Sequence, residues 1–160
     1  MSSRDAVIEA LERRLKILED KDALWTLMNR YCYTCDNYMF QEFANFFTED
    51  ATLNFEEWGE LKGREAILKA TEVEGAFQGL QHSMTNIAFH VDGSDAASAT
   101  GYLNFYATPD RSKPEIHYGF GGPYSFTYRR TQDGWKVTSQ RLRKHWAQGE
   151  DTKGLFTAKK

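Results

Sequence analysis

The hydrophobic positions near the N-terminus of the chain recur with a helical period. Apolar side chains are spaced by three or four residues between residues 6 and 18, with charged residues between them: Ile8, Leu11, Leu15 and Leu18. Asp20-Lys21-Asp22 then interrupts the pattern and offers a helix N-cap, after which helical spacing resumes toward Asp36. The pattern predicts a helical extension over residues 5–19 and a second helix that ends near Asp36.

Beyond residue 50 the pattern changes to short segments in which apolar and polar residues alternate, which is typical of strands. The predicted strands cover residues 51–55, 84–91, 96–107, 116–130 and 135–146. Asp92-Gly93 and Asp133-Gly134 lie between these β-rich segments, where an Asp-Gly pair supplies the positive φ angles of a tight turn. Further helices are predicted over residues 41–47 and 63–70.

Helices followed by a long run of antiparallel strands predict an α+β fold. In this fold the N-terminal helices pack on the concave face of a cone-shaped, curved sheet that is mixed but mostly antiparallel. Strands of about twelve residues need a bulge or a bend, and the resulting curvature leaves a pocket between the sheet and the helices. With 160 residues, the chain is predicted to form a single domain over residues 1–160.

Charge and composition narrow the classes of partner. The formal net charge is −3 and the Lys and Arg residues are scattered, so no basic stripe indicates nucleic-acid binding. No apolar run approaches the roughly 18 residues of a membrane span. The chain begins with a charged amphipathic segment instead of an apolar signal sequence, and we expect a reduced, cytoplasmic setting.

The spacing Cys32-x-x-Cys35 raises a metal or redox alternative. A zinc site needs four ligands, and the sequence has no second cysteine pair. Redox pairs lie at helix N-termini, whereas this pair lies toward the C-terminal end of a predicted helix. We therefore expect two buried small side chains, with no metal and no cofactor.

Asp36 and His82 are the candidate catalytic pair. A carboxylate that accepts a proton from one imidazole nitrogen fixes the tautomer, and it leaves the other nitrogen free to take a proton from a substrate. Asp36 ends an aromatic-rich helix and His82 opens a strand. The ordinary alternative is a helix-terminal Asp bonded to local backbone, together with a loop or core histidine.

Three segments resemble the SnoaL-like branch of the nuclear transport factor 2-like superfamily: FANFFTEDA at 43–51, LKGREAI at 61–67 and DGWKV at 133–137. Within that branch the chain is most similar to the group of scytalone dehydratase, hexachlorocyclohexane dehydrochlorinase and bile-acid 7α-dehydratase. The resemblance implies proton abstraction without a cofactor, with His82 of the His-x-x-Thr-Asn motif as the base and Asp36 as its orienting partner. It also implies a functional Tyr31, five residues before Asp36, and a homodimer or higher homo-oligomer.

One strand departs from the pattern of that group. Where its members place a second histidine or aspartate, this chain has Asn104, Tyr106 and Ala107. The sequence therefore does not support the mechanism of that group in which two residues on strands transfer protons.

A tyrosine is the substitute donor that the sequence offers. The resemblance favours Tyr31, whereas a three-residue spacing from Asp36 favours Tyr33. Arg143 on the last predicted strand is a further candidate, because a guanidinium can hold a carboxylate or a developing oxyanion.

Aromatic residues make up 14% of the chain, more than a small core requires, and they predict a pocket for a ring-bearing apolar ligand. The ordinary alternative is that these rings fill the core between sheet and helices. The predicted substrate-binding residues are Phe55, Trp58, Phe77, Tyr102, Asn104, Tyr106, Tyr118 and Tyr124.

These features favour a cofactor-independent lyase, dehydratase-like or isomerase-like, that acts on a hydrophobic cyclic or aromatic small molecule. Catalysis itself stays open at this point, because the same cone also serves non-catalytic proteins. The alternatives are a small-molecule-binding or assembly module of the same fold and the small subunit of a ring-hydroxylating oxygenase.

Overall fold

The computed structural model describes residues 3–157, and in that range the chain forms three α-helices, one 3₁₀ helix and seven strands. The helices are α1 Ser3–Asp36, α2 Phe40–Ala44 and α3 Arg64–Thr71, and the 3₁₀ helix is Glu72–Ala76. The strands are β1 Phe47–Phe55, β2 Gly59–Lys62, β3 Gly79–Val91, β4 Ala96–Thr108, β5 Tyr118–Thr131, β6 Gly134–Leu142 and β7 Trp146–Gly149. Residues 1–2 and 158–160 of the predicted domain lie outside the described residues.

The strands of residues 3–157 form one curved sheet in the order β2-β1-β6-β5-β4-β3, and β7 pairs with the start of β5. β1 runs parallel to β6, and the remaining strand pairs run antiparallel. α1 packs on the concave face, mainly against β3. The predicted α+β fold with a mixed, mostly antiparallel sheet is confirmed.

α1 is a single helix of 34 residues, so the predicted break at Asp20-Lys21-Asp22 is wrong. No glycine or proline lies between residues 3 and 36 to interrupt the backbone. Asp20 is 4% exposed and accepts a hydrogen bond from Arg130 Nη2 at 2.6 Å, which ties the middle of the helix to β5. The negative charge of Asp20, which suggested a helix end, is instead compensated by Arg130 of β5.

The C-terminal half of α1 turns one stripe of side chains toward the sheet. Its buried members recur at one-, three- and four-residue steps: Leu24, Leu27, Met28, Tyr31, Thr34 and Cys35. The N-terminal half leaves its large apolar side chains exposed: Val7, Ile8, Leu11, Leu15 and Leu18. The helix therefore delivers Tyr31 and Cys35 to the interior and ends at Asp36, close to β3.

Both predicted Asp-Gly turns are confirmed. Gly93 and Gly134 have φ angles of 90° and 93°, and they join β3 to β4 and β5 to β6. The pattern missed the short strand β2 and placed the start of β3 at residue 84 instead of at Gly79. None of the helices within residues 3–157 is long and apolar enough to cross a membrane.

A bulge curves the sheet close to the predicted site. The pairing of β3 with β4 shifts register between Thr85 and Ala88, and Asn86 within the shift has a φ of 53°. A bulge bends its strand and increases the local twist. The bend that long strands were expected to need is present in β3.

The last predicted strand is divided in two. β6 ends at Leu142, and after a crossing segment the chain returns as β7 beside β5. Gly122 permits this close approach, because a Cβ there would lie 1.9 Å from the carbonyl oxygen of Arg143. The crossing segment brings Lys144 against the aromatic interior, where its ammonium lies 5.2 Å from the ring centre of Phe120.

Candidate active site

Asp36 and His82 are in direct contact at the end of α1. The distance between Asp36 Oδ1 and His82 Nδ1 is 2.6 Å. The backbone N–H of His82 also donates to both carboxylate oxygens of Asp36 at 3.0 Å. Two parts of one residue hold the carboxylate, so the imidazole is fixed with its Nδ1 proton toward Asp36, and Nε2 is left as the basic nitrogen.

The environment of His82 strengthens it as a base. Its side chain is 9% exposed, and this burial lowers the pKa of the imidazole. The hydrogen bond to Asp36 and the nearby charges of Glu74 and Asp36 raise that pKa by more, so the net pKa is raised. A neutral His82 therefore has a greater proton affinity than an ordinary histidine.

His82 faces a cavity of about 40 Å³ between α1 and the sheet. The walls are mainly aromatic and aliphatic, and a few polar side chains converge on the space: Tyr31, Thr71, Glu74, His82, Tyr124 and Gln140. An apolar wall with a small number of placed polar groups is the usual composition of a small-molecule site.

Two phenols and an amide form a hydrogen-bonded group in the cavity wall. Tyr31 donates to Gln140 Oε1 at 2.8 Å, and its hydroxyl oxygen lies 3.0 Å from that of Tyr124. Gln140 Nε2 in turn donates to the Tyr124 hydroxyl. Burial raises the pKa of both phenols, so both keep their protons. Because the proton of Tyr31 is committed to Gln140, the 3.0 Å contact between the two hydroxyls uses the proton of Tyr124, and a ligand oxygen would have to take that proton in place of Tyr31.

Glu74 adds a buried carboxyl group from the 3₁₀ helix. The residue is 5% exposed, and the Cys35 thiol donates to its Oε2 at 3.2 Å. A ring nitrogen of His82, the Cys35 sulfur and a Glu74 oxygen all lie within 4.8 Å of one another. Burial raises the pKa of Glu74, and the charge of His82 and the hydrogen bond from Cys35 offset this only in part.

The same three side chains are the grouping within residues 3–157 that could hold a metal ion. Sulfur, carboxylate and imidazole donors suit zinc. Burial raises the pKa of both the Cys35 thiol and the Glu74 carboxyl, so a cation would have to displace two protons in order to bind. In this structure, Cys35 and Glu74 are joined by a hydrogen bond of 3.2 Å at that position.

Lys144 and Phe156 lie where the C-terminal segment covers the aromatic wall. The Lys144 ammonium forms an ion pair with Glu57 and donates to the Phe156 carbonyl at 2.6 Å. It also donates to the Tyr118 hydroxyl at 3.1 Å. Phe156 is 1% exposed, lines the cavity and stacks on Phe77.

Several predicted site residues meet at the cavity. The predicted residues that line it are Tyr31, Phe55, Trp58, His82 and Tyr124. Asp36 lies behind His82, and Phe77 and Tyr118 are buried one layer back, each stacked on Phe156.

Three predicted substrate-binding residues lie on the opposite, outer face of β4: Tyr102, Asn104 and Tyr106. They alternate with Leu103 and Phe105, which line the cavity. Tyr102 is 50% exposed, and Tyr106 packs on His117 and Trp146. The expectation that they face the pocket is corrected, because β4 carries aromatic rings on both faces and its sequence does not reveal which face is inside.

Tyr33 does not reach the cavity either. It is 60% exposed, because the buried stripe of α1 passes through Tyr31 and Cys35, four residues apart. The three-residue spacing from Asp36 that favoured Tyr33 was misleading, since Asp36 itself lies at the edge of that stripe.

Arg143 lies in an outer groove of the sheet instead of inside the cone. Leu142 faces the cavity, so by alternation its neighbours face away from it. The strand ends there, and the next cation, Lys144, is the one that turns inward.

The cavity residues that were not predicted as site residues include Glu74, Phe105, Gln140 and Phe156. Phe105 and Gln140 could have been found from their two-residue spacing to other inward residues. Glu74 stands in the short acidic segment Glu72-Val73-Glu74, which is typical of a solvated turn. No local pattern distinguishes it from the exposed Glu72 two residues earlier.

A family model for the SnoaL-like domain matches residues 16–141, a span that contains Asp36, Glu74 and His82. The chain belongs to the SnoaL-like family. This confirms the resemblance on which the sequence-based fold prediction drew.

The chain is similar in sequence or in structure to several known proteins. The uncharacterized protein Rv2910c of Mycobacterium tuberculosis is 25% identical over 134 residues, which cover 82% of this chain and 90% of the relative. Among solved structures, a "Putative Scytalone Dehydratase" from Novosphingobium aromaticivorans has a TM-score of 0.77 at 22% identity, covering 86% of this chain and 91% of that one. The hexachlorocyclohexane dehydrochlorinase LinA-type3 from Novosphingobium barchaimii has a TM-score of 0.73 at 18% identity, covering 87% and 95%.

Proposed function

We propose that this SnoaL-like protein is a cofactor-independent lyase, dehydratase-like or isomerase-like, that abstracts a proton from a hydrophobic cyclic or aromatic small molecule. The observation that carries the proposal is the 2.6 Å contact between Asp36 Oδ1 and His82 Nδ1 at the wall of an apolar cavity. Two structural neighbours bear the names of a dehydratase and a dehydrochlorinase, which agrees with this class of reaction.

His82 is the general base in this proposal. Its Nε2 accepts the carbon-bound proton, and the Asp36 carboxylate stabilises the imidazolium that forms. Because Asp36 is also held by the His82 backbone N–H, the pair needs no rearrangement when the charge develops. General-base catalysis contributes about 10²- to 10⁴-fold, and positioning in a dry pocket supplies the remainder.

Tyr124 is the group that we assign to a developing oxyanion. Its hydroxyl accepts from Gln140 Nε2 and donates to the Tyr31 hydroxyl, and a carbonyl oxygen of the substrate takes that proton in place of Tyr31. Tyr31 has a positioning role, since it lies 3.0 Å from the Tyr124 hydroxyl and donates to the same amide.

Replacement of His82 by Ala tests the proposal. The wild-type protein is incubated with a panel of aromatic and alicyclic alcohols and ketones, and product formation is followed by NMR. We expect His82→Ala to abolish turnover while the far-ultraviolet circular dichroism stays unchanged, whereas His90→Ala farther along β3 retains turnover. Turnover by the His82 variant would overturn the assignment.

The same ligand panel also tests the alternative function, a non-catalytic binding module of the same fold. Asp36→Asn removes the charge beside His82 and should cost turnover but little ligand affinity. If a panel ligand binds the wild type and the Asp36→Asn variant equally and neither protein converts it, the chain is a binding module.

We also propose a cytoplasmic homodimer or higher homo-oligomer. The apolar side chains exposed along the N-terminal half of α1 and the half-exposed Tyr102 on the outer face of the sheet support an association of copies. Both cysteines are free thiols, which agrees with a reducing compartment.

A further inference from the structure

We propose that Glu74 is the proton donor of this site, and that its carboxyl group protonates a leaving oxygen while His82 removes the carbon-bound proton. The inference rests on the proposed function, because it assigns the second half of a proton transfer that His82 begins. β4 contains no Asp, Glu or His, so an acid facing the cavity has to come from another element. The 3₁₀ helix provides it.

The position of Glu74 suits a donor that works together with His82. The carboxyl lines the same cavity as the imidazole, and an oxygen of Glu74 lies within 4.8 Å of a ring nitrogen of His82. The Cys35 thiol donates to Oε2 at 3.2 Å, which fixes the carboxyl plane. The proton of the neutral acid therefore belongs on Oε1, the oxygen that the thiol does not occupy.

Burial is the main reason why the protonated form of Glu74 is favoured, and the groups that face it act in both directions. Cys35 and Asp36 face it from α1, His82 from β3 and Tyr124 from β5. Asp36 already carries a negative charge in this buried region, and a second carboxylate beside it is unfavourable. Burial raises the pKa of Glu74 most; the charge of His82 and the hydrogen bond from Cys35 lower it by less, and the charge of Asp36 adds the smallest upward effect.

The proton balance closes within the pair. His82 Nε2 takes a proton from carbon, the C–H electron pair forms the new double bond, and the C–O bond breaks. The leaving oxygen takes the proton of Glu74 and departs as water. The products of the step are an imidazolium and a carboxylate, and return of the proton from His82 to Glu74 restores both groups without any other reactant.

A donor of this kind determines the leaving group. Hydroxide leaves a carbon centre readily only when it is protonated as it departs, whereas chloride leaves without a proton. Glu74 therefore selects alcohols over halides as the substrates that this site eliminates.

The first experiment measures protonation without any substrate. In wild-type protein labelled with carbon-13 at glutamate and nitrogen-15 at histidine, NMR follows the Glu74 carboxyl and the His82 ring from pH 4 to pH 9. We expect Glu74 to titrate above its ordinary range, and His82 to titrate at a lower pH in Glu74→Gln than in wild type. Glu72→Gln, an exposed neighbour on the same 3₁₀ helix, should change neither titration.

The second experiment measures the leaving-group preference with 3-hydroxycyclohexanone and 3-chlorocyclohexanone as probes. We expect Glu74→Gln to lose about 10²- to 10⁴-fold in turnover of the hydroxy probe and only a few-fold with the chloro probe. His82→Ala should lose both activities. The wild-type rate should follow a bell-shaped pH profile, and Glu74→Gln should keep only the limb that belongs to His82.

The outcomes separate the two proposals. Retained turnover in His82→Ala would overturn the proposed function, while a Glu74 variant that loses both probes equally, or neither, would overturn the role of Glu74 alone. If neither probe is converted by the wild type, the titration decides: a Glu74 that is ionised at all pH values above its ordinary range overturns the inference.

Discussion

Single residues determine the chemistry of this site through their surroundings. His82 is more basic than an ordinary histidine because Asp36 contacts its ring, and Glu74 is less acidic than an ordinary glutamate because it is buried. Both pKa values are raised, so each group holds its proton more tightly than an ordinary histidine or glutamate does. An oxygen of Glu74 lies within 4.8 Å of a ring nitrogen of His82, so a proton that passes between the two side chains travels only a short distance.

The burial of Glu74 also predicts how stability depends on pH. Its folded-state pKa is raised above the ordinary value of 4.5, so the native state binds this proton more tightly than the unfolded chain. The resulting stability is fully present below pH 4.5 and is lost as the pH rises through the raised pKa. Gln does not ionise, so Glu74→Gln has no such pH-dependent loss of stability. The variant should therefore gain stability relative to wild type as the pH rises from 4.5 through the raised pKa of Glu74.

Urea unfolding at a series of pH values measures this difference. The control is Glu72→Gln, which removes the same charge from an exposed position and should follow the wild-type curve. Parallel stability curves for Glu74→Gln and wild type would contradict the raised pKa.

At the scale of elements, α1 is the part that assembles the site. Its C-terminal half carries Tyr31 and Cys35 on the buried stripe and ends with Asp36 beside His82. Asp20 lies near the middle of α1, and its contact with Arg130 on β5 fixes the direction of the helix across the sheet. A shift of the helix along the sheet would separate the catalytic pair.

Asp20→Ala should therefore destabilise the protein. The change leaves Arg130 without one carboxylate, although Arg130 Nε keeps its bond to Asp95 at 2.9 Å. The loss of a charged hydrogen bond with a buried partner costs about 1–3 kcal/mol in the free energy of unfolding. Asp22→Ala, two residues away on the exposed side of α1, should cost much less, and urea denaturation compares them. Equal losses would mean that the Asp20 contact does not hold the helix.

At the scale of the whole molecule, the C-terminal segment completes the wall of the cavity. Phe156 is buried among the rings that line it, and the enclosed space of about 40 Å³ is smaller than the roughly 150 Å³ that accommodates benzene. A ring-shaped ligand can enter only when the lining moves apart. The structure therefore corresponds to a closed form of the proposed site.

Phe156→Ala should enlarge the cavity and lower stability together. Truncation of a buried phenylalanine costs about 3–5 kcal/mol. We expect the variant to bind benzene, seen as a rise in melting temperature with added ligand, whereas wild type shows a smaller rise. Phe89→Ala, a partly buried ring packed on Trp25 at 6.1 Å, should lose stability without gaining the ligand effect. Absence of benzene binding in Phe156→Ala would show that Phe156 does not fill the space.

The proposed self-association belongs to the same scale. The exposed stripe on the N-terminal half of α1 recurs at heptad-like steps, from Ile8 through Leu11 and Leu15 to Leu18. Light scattering after gel filtration should give a dimer or larger oligomer for wild type. Leu11→Glu with Leu15→Glu should reduce its mass toward the monomer, and Tyr102→Glu tests the outer face of the sheet separately. A monomeric wild type would contradict the proposal.

The amino-acid sequence alone determined the succession of helices and long strands and the two Asp-Gly hairpin turns, because these depend on local periodicity and on glycine at positive φ. It also identified Asp36 and His82 through family resemblance, and the contact between them followed from the fold. The interruption at Asp20 was misread, since the partner that compensates this charge is Arg130, 110 residues away in the chain.

Only the tertiary structure decided which face of each strand and helix is inside. Alternation gives two equivalent faces, and aromatic residues on both faces of β4 concealed that Phe105, and not Tyr102 or Tyr106, reaches the cavity. Glu74 shows the same limit most clearly. Its role depends on burial and on contact with Cys35 and His82, and these are set by how distant segments pack, which no local pattern of residues encodes.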